Sequence, residues 1–148
     1  MTDNLTIEFT AECTPSEAYA AILDVRGWWS GQIDGATDVL GGEFTYRYED
    51  VHRSVQRITA LEPSRRVAWH VVDAYLKFVA DQTEWKGTDI TFDIEPAQAG
   101  TRVVFTHVGL ASDVECFEQC SSAWRFYIGT SLRELIRDQV GRPNPRED

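Results

Sequence analysis

Basic charge is scarce in this 148-residue sequence: 14 Lys and Arg stand against 24 Asp and Glu, for a formal net charge of −10. Phosphate backbones are bound by clustered Lys and Arg, and no such cluster is present, so nucleic acid and anionic membrane surfaces are poor partners and none is expected. Long apolar runs are missing as well. A bilayer-spanning helix needs about 20 consecutive apolar residues, whereas the apolar stretches here are only a few residues long, and the start MTDNLTIEF is acidic rather than basic and apolar as a secretory signal would be. The expectation is a cytoplasmic protein without membrane insertion. Cysteine is sparse: Cys13, Cys116 and Cys120 are odd in number and lack framework spacing, which fits a reducing compartment. Gly-x-Ser-x-Gly, a phosphate loop, a dinucleotide fingerprint and His-Glu-x-x-His are all absent. No cofactor and no metal are therefore expected, and no nucleophile-and-base arrangement is legible.

Aromatic rings are what the sequence has in quantity. Five Trp, five Tyr and seven Phe make up 11% of the chain. A close-packed aromatic core and an aromatic-lined ligand cavity both bury such rings efficiently, and composition alone does not separate them. The length suits one domain able to fold without staples, with residues 1–141 as the domain and 142–148, rich in Pro and polar residues, as a flexible tail.

Leu5, Ile7, Phe9 and Ala11 alternate with polar residues over 5–12, the period of a half-buried strand. Thr14-Pro15-Ser16-Glu17 supplies an N-cap hydroxyl, a proline in the first turn and a reciprocal glutamate, and Ala18, Ala21, Ile22 and Val25 form the apolar stripe of a helix ending near Gly27. Residues 31–42 carry Gly31, Gly35, Gly41 and Gly42 and read as a loop. Five strand patterns follow, at 43–49, 54–62, 65–73, 88–96 and 101–108, separated by turn signals such as Pro63-Ser64 and Pro96 to Gly100. The segment from Ala74 to Gly87 is weaker and reads as strand extension or as a flap. Ser112-x-x-Glu115 is a second capping box. Phe117, Cys120, Trp124, Ile128, Leu132, Leu135 and Ile136 then recur at steps of three and four, predicting one helix to about Val140.

Strands joined by hairpin-length turns favour an antiparallel sheet, and one long amphipathic helix can cover its concave face. The fold class is α+β, a bent antiparallel sheet around a long C-terminal helix with a cavity between. Gly129 inside that helix costs about 1 kcal/mol relative to Ala and points to close packing or to room for a ligand. If Phe44, Tyr46, Trp69, Phe92, Phe105, Trp124 and Tyr127 face inward, they line an apolar pocket with polar tips from Tyr46, Trp124 and His107. His107 could serve a ligand, act as acid or base, or tie the strand end to the helix. Trp85 in the flap and Cys120 on the helix face complete the candidate set. Glu43 and Glu84 are the acids placed near the cavity mouth, while Asp89, Asp93 and Glu95 alternate outward onto a solvated face. Cys116 and Cys120, four apart on a helix, are two small buried residues, an oxidisable pair or, with His107, an incomplete metal set.

Particular segments also carry a resemblance. They are Trp28-Trp29 after the first helix, Gly41-Gly42-Glu43-Phe44, Leu61-Glu62-Pro63 with Val67-Ala68-Trp69, Glu84-Trp85-x-Gly87-Thr88, Gly100-Thr101-Arg102, and His107-x-Gly109-Leu110 followed by Glu115-Cys116-Phe117-x-x-Cys120, Trp124, Tyr127-Ile128 and Ser131-Leu132. With the order of elements, they resemble the helix-grip fold of the START and birch-pollen-allergen superfamily, in the branch similar to the activator of the heat-shock-protein ATPase. The resemblance covers nearly the whole chain and places Trp28 and Trp29 at a cavity entrance. Its members include lipid carriers, hormone receptors and polyketide cyclases, so it implies fold more than activity. The leading expectation is binding of a small, mostly apolar molecule between helix and sheet. The alternatives are a cyclase- or aromatase-like enzyme using His107, or an interaction protein resembling the chaperone-ATPase activator, with a homodimer as a further possibility.

Overall fold

A computed structural model describes residues 5–29, 33–48, 52–76, 87–98, 100–108 and 117–138, without the side chains of Tyr48, His52, Leu76 and 117–121. Strand β1 (Leu5–Ala11) leads into helix α1 (Pro15–Leu23) and the short helix α2 (Val25–Trp28). Six strands follow: β2 (Ile33–Gly35), β3 (Glu43–Tyr48), β4 (His52–Glu62), β5 (Arg66–Leu76), β6 (Asp89–Ala97) and β7 (Gly100–Val108). The C-terminal helix is α3 (Phe117–Phe126), a π-helical segment (Tyr127–Leu132) and α4 (Arg133–Asp138).

Among the described residues, all seven strands form one antiparallel sheet in the order β1-β7-β6-β5-β4-β3-β2. Every neighbour except β1 and β7 is also consecutive in the chain. The α+β class is as expected, and the curved sheet carries the C-terminal helix. Register shifts in the β4–β5 pair, between Val55 and Gln56 and between Ile58 and Ala60, are the irregularities that bend such strands.

Helix α1 starts as the sequence requires. Glu17 N–H donates to Thr14 Oγ1 at 3.1 Å and Thr14 N–H to Glu17 Oε1 at 2.9 Å, so two otherwise orphaned donors are satisfied reciprocally. The helix expected to run to about Gly27 is instead broken at Asp24 into α1 and α2, and the chain departs from expectation in two further places. The glycine-rich stretch holds a three-residue strand, β2, whose Ile33 lies opposite Tyr46; it is too short to show alternation, and Gly35 at φ +114° ends it where a Cβ would lie 2.3 Å from the Glu43 carbonyl. The C-terminal helix is not uniformly α, because its hydrogen bonding widens to a π register around Gly129. Residues 74–76 extend β5, one of the two readings of the weaker segment, while its residues 77–86, the capping box at 112–115 and the tail lie outside the described residues.

Inner and outer faces of the sheet are chemically distinct. Phe44 and Tyr46 of β3, Ile58 of β4, Trp69 and Val71 of β5, Ile90 and Phe92 of β6, and Val103 and Phe105 of β7 are buried beneath the helices. The outer face carries cross-strand ion pairs: Arg57 with Glu43, Arg53 with Asp73, Arg66 with Asp93, and Arg102 with Glu8 and Glu95. These are solvent-exposed pairs, each worth about 0–1 kcal/mol. Asp89, Asp93 and Glu95 lie on this face, as expected; His70 Nδ1 sits 2.8 Å from Asp89 Oδ1. Glu43, expected near a cavity mouth, is instead on the outer face with Arg57, because Phe44 takes the inward position and strand neighbours alternate.

Candidate functional site

The concave side of the sheet is organised in cross-strand rows. One row reads Ile58, Trp69, Ile90, His107 and Leu5 across β4, β5, β6, β7 and β1. The next reads Gly35, Phe44, Gln56 and Val71, and the one beyond it Ile33, Tyr46, Ser54 and Ala74. Rings dominate the space between these rows and the helices. Trp29 stacks on Tyr46 with centroids 4.0 Å apart and planes 8° from parallel, and Trp28 lies nearly parallel to Trp69 at 6.3 Å. Phe92 and Phe44 each meet Trp69 edge-on at 5.0 Å. Phe105 joins Phe92 at 5.3 Å to Trp124 at 4.7 Å, and Trp124 returns to Trp29 at 5.0 Å. The result is a continuous network of offset and edge-to-face pairs, each worth about 0.5–1.5 kcal/mol beyond the area it buries.

Of the expected site residues, Trp28, Trp29, Phe44, Tyr46, Trp69, Phe92, Phe105, His107 and Trp124 are thus all buried and brought together. Tyr127 is half-buried on the helix, edge-on to Phe126 at 5.3 Å. Trp85 and Cys116 lie outside the described residues, as does the side chain of Cys120. Trp28 and Trp29, expected at an entrance, are instead at the centre. Helix α2 turns both indoles inward, Trp28 Nε1 donating to the Ile22 carbonyl at 3.2 Å.

Polar groups are few, and most have definite tasks. His107 is fully buried, and Trp124 Nε1 donates to its Nδ1 at 3.1 Å. Nδ1 is therefore the acceptor, which leaves the ring proton on Nε2 to donate to Thr88 Oγ1 at 2.8 Å. The imidazole ties β7 to α3 and to the start of β6. Ser131, in the π-helical segment, donates from Oγ to the Trp28 carbonyl at 2.6 Å and fastens the helix to α2. Gly129 is not explained by close packing, since an added Cβ would meet nothing within 4 Å.

Two polar side chains on the inner face were not signalled by hydrophobic pattern. Ser54 and Gln56 are both fully buried, and Gln56 Nε2 donates to Ser54 Oγ at 2.6 Å. Gln56 Oε1 and Trp69 Nε1 are sealed from solvent with no hydrogen-bond partner among the described residues. The signal available was parity: Ser54 and Gln56 share theirs with Ile58, although Val55 invites the opposite choice. Among the described residues, surface hollows lie elsewhere, one of about 390 Å³ beside Arg65, Arg66 and Asp93, another of about 360 Å³ between Ala20, Ala21, Leu135 and Ile136. Neither touches an expected site residue. Among the described residues no cluster of His, Cys, Asp and Glu could hold a metal ion, and no helix is long and apolar enough to cross a membrane. Burial pushes the Cys13 thiol above its ordinary pKa, with Glu17 adding to the rise and a hydrogen bond with Thr101 opposing it.

Solved structures similar to this chain share its fold. The Aha1 dimer from Colwellia psychrerythraea aligns with TM-score 0.73 and 22% identity over 91% of this chain and 96% of that one. A protein from Staphylococcus saprophyticus aligns with TM-score 0.71 and 18% identity over 97% and 98%. CalU16 from Micromonospora echinospora aligns with TM-score 0.66 and 16% identity over 90% and 74%. No curated protein matches the sequence. Residues 12–137 match the family of proteins like the activator of Hsp90 ATPase homolog 1, and the chain belongs to that family.

Proposed function

We propose that the protein binds a small, mostly apolar molecule between the concave face of the sheet and the C-terminal helix. The observation that carries this reading is the set of polar side chains sealed among the rings, two of them with an unused hydrogen-bonding atom. A core serving stability alone gains from apolar residues at Gln56 and loses by burying a polar atom without a partner, whereas ligand sites combine aromatic walls with a few placed polar groups. The π-helical segment, a distortion frequent at functional sites, lies along the same helix as Trp124 and opens at Gly129. His107 has both ring nitrogens in hydrogen bonds, which favours a positioning role over proton transfer.

Native mass spectrometry of gently purified protein, compared with its denatured mass, tests this reading. Extra mass that leaves on unfolding supports it and gives the ligand's chemical class. A stripped protein that takes up no apolar probe refutes it. A partner-protein reading draws on the family's description and on the dimeric state of the Colwellia relative. It expects a sedimentation coefficient above that of a 16.8 kDa monomer, or retention of a chaperone in pull-down with stimulated ATPase turnover.

A further inference from the structure

The unused atoms on the inner face are complementary, one acceptor and one donor, and belong to neighbouring residues. Gln56 pairs with Val71 and Trp69 with Ile58, so the two residues are diagonal neighbours on one face of the β4–β5 pair. Diagonal neighbours lie roughly 7–8 Å apart, their Cβ atoms somewhat closer, within reach of long side chains. Phe44, opposite Gln56 on β3, meets Trp69 edge-on at 5.0 Å and closes the third side. The β4–β5 register shift falls at Val55 and Gln56, and bulges of this kind re-aim side chains beside functional sites. One Nε2 hydrogen of Gln56 is donated to Ser54 Oγ, and the atoms of this pair left without a partner are the Gln56 carbonyl oxygen and the Trp69 indole N–H.

One acceptor beside one donor selects a ligand group. A carboxylate is repelled by the Gln56 carbonyl, an ammonium by the Trp69 N–H, and a hydrocarbon leaves both atoms unpaired. A hydroxyl satisfies both from a single oxygen. We propose that Gln56 Oε1 and Trp69 Nε1 form a subsite for the hydroxyl of an apolar alcohol or phenol, whose O–H donates to Gln56 while its oxygen accepts from Trp69. This rests on the reading that the concave face takes an apolar molecule, and it narrows that molecule to a neutral, hydroxylated one.

The test compares 2-naphthol, 2-methoxynaphthalene and naphthalene by equilibrium dialysis against the full chain, stripped of any bound molecule. The methoxy compound keeps the accepting oxygen and lacks the donor. The expected result is 2-naphthol binding roughly tenfold or more tightly than either analogue, because a site built for a hydroxyl discriminates against its absence. Gln56→Met should erase the preference while retaining naphthalene. In an ¹⁵N-labelled sample, the Trp69 indole resonance, assigned with Trp69→Phe, should move downfield with 2-naphthol and not with naphthalene. Should Gln56→Met not fold, the wild-type ranking and the indole resonance decide the matter. Equal affinity for the three compounds, a preference that survives Gln56→Met, or a Trp69 N–H in contact with a long-lived water and indifferent to 2-naphthol overturns the subsite and leaves the apolar pocket standing. Failure of all three to bind overturns the pocket reading, and the subsite with it.

Discussion

Replacing His107 with Phe separates a structural imidazole from a chemical one. The substitution keeps a planar ring of similar volume at a fully buried position, so packing is largely retained. What it removes is the acceptor for Trp124 Nε1 at 3.1 Å and the donor to Thr88 Oγ1 at 2.8 Å. Depriving a buried polar group of its partner costs about 1–3 kcal/mol, and with two bonds lost together the expected destabilisation is roughly 2–4 kcal/mol. At about 2–4 °C per kcal/mol for domains of 150–250 residues, the melting temperature should fall by about 5–15 °C. Urea unfolding followed by tryptophan fluorescence reads the same quantity, as a lower midpoint with an unchanged slope. A double-mutant cycle with Trp124→Phe should return a coupling of about 0.5–3 kcal/mol, as for residues in one hydrogen-bond network. Destabilisation below about 0.5 kcal/mol, or a coupling indistinguishable from zero, would refute the role assigned to the imidazole.

Gly129→Ala should raise stability by about 0.5–1 kcal/mol in urea titration, because a helical glycine is entropically costly and the new methyl meets nothing. Gly100→Ala should do the opposite and lower it by at least about 1–3 kcal/mol, since Gly100 has φ +146° and its Cβ would lie 2.1 Å from the Ala11 carbonyl; loss of soluble expression is an equivalent outcome, and wild-type stability would contradict it. Cys13 should be alkylated at pH 8 more slowly than a free thiol, because a raised pKa leaves less thiolate at that pH. Peptide mapping of timed iodoacetamide digests checks the rate at this cysteine separately from the other two.

Alternation and capping made most of the fold legible. Phe44 and Tyr46, Ile90 and Phe92, and Val103 and Phe105 fall inward at the expected parity, and Thr14 and Glu17 form the reciprocal cap. Strand β2 was not legible because three residues carry no period; its pairing is determined by Ile33 and Gly35 lying opposite Tyr46 and Phe44, a tertiary fact. The aromatic cluster could be read as a set, but not the depth of its members. Trp28 and Trp29 are central because α2 turns back over the sheet, and no local pattern encodes that turn. Ser54 and Gln56 escape the hydrophobic pattern for a different reason: polar residues inside a strand read as outward-facing, and their parity with Ile58 gains weight only once Tyr46 and Phe44 are seen to lie opposite them.

The order of strands also bears on how the chain assembles. Strands β2 to β7 form a meander in which each strand can pair with one already made nearby, so loop-closure cost stays small at every step. The first strand is the exception, since Ala11 meets Thr101 and Leu5 meets His107 across most of the chain. During synthesis at about 5–20 residues per second, β1 leaves the ribosome on the order of ten seconds before its mate exists. Thr6, Glu8 and Thr10, alternating with its apolar residues, keep that waiting strand from being uniformly hydrophobic. The β1–β7 ladder is therefore the pairing that a nascent chain closes last, after the meander it completes is already in place.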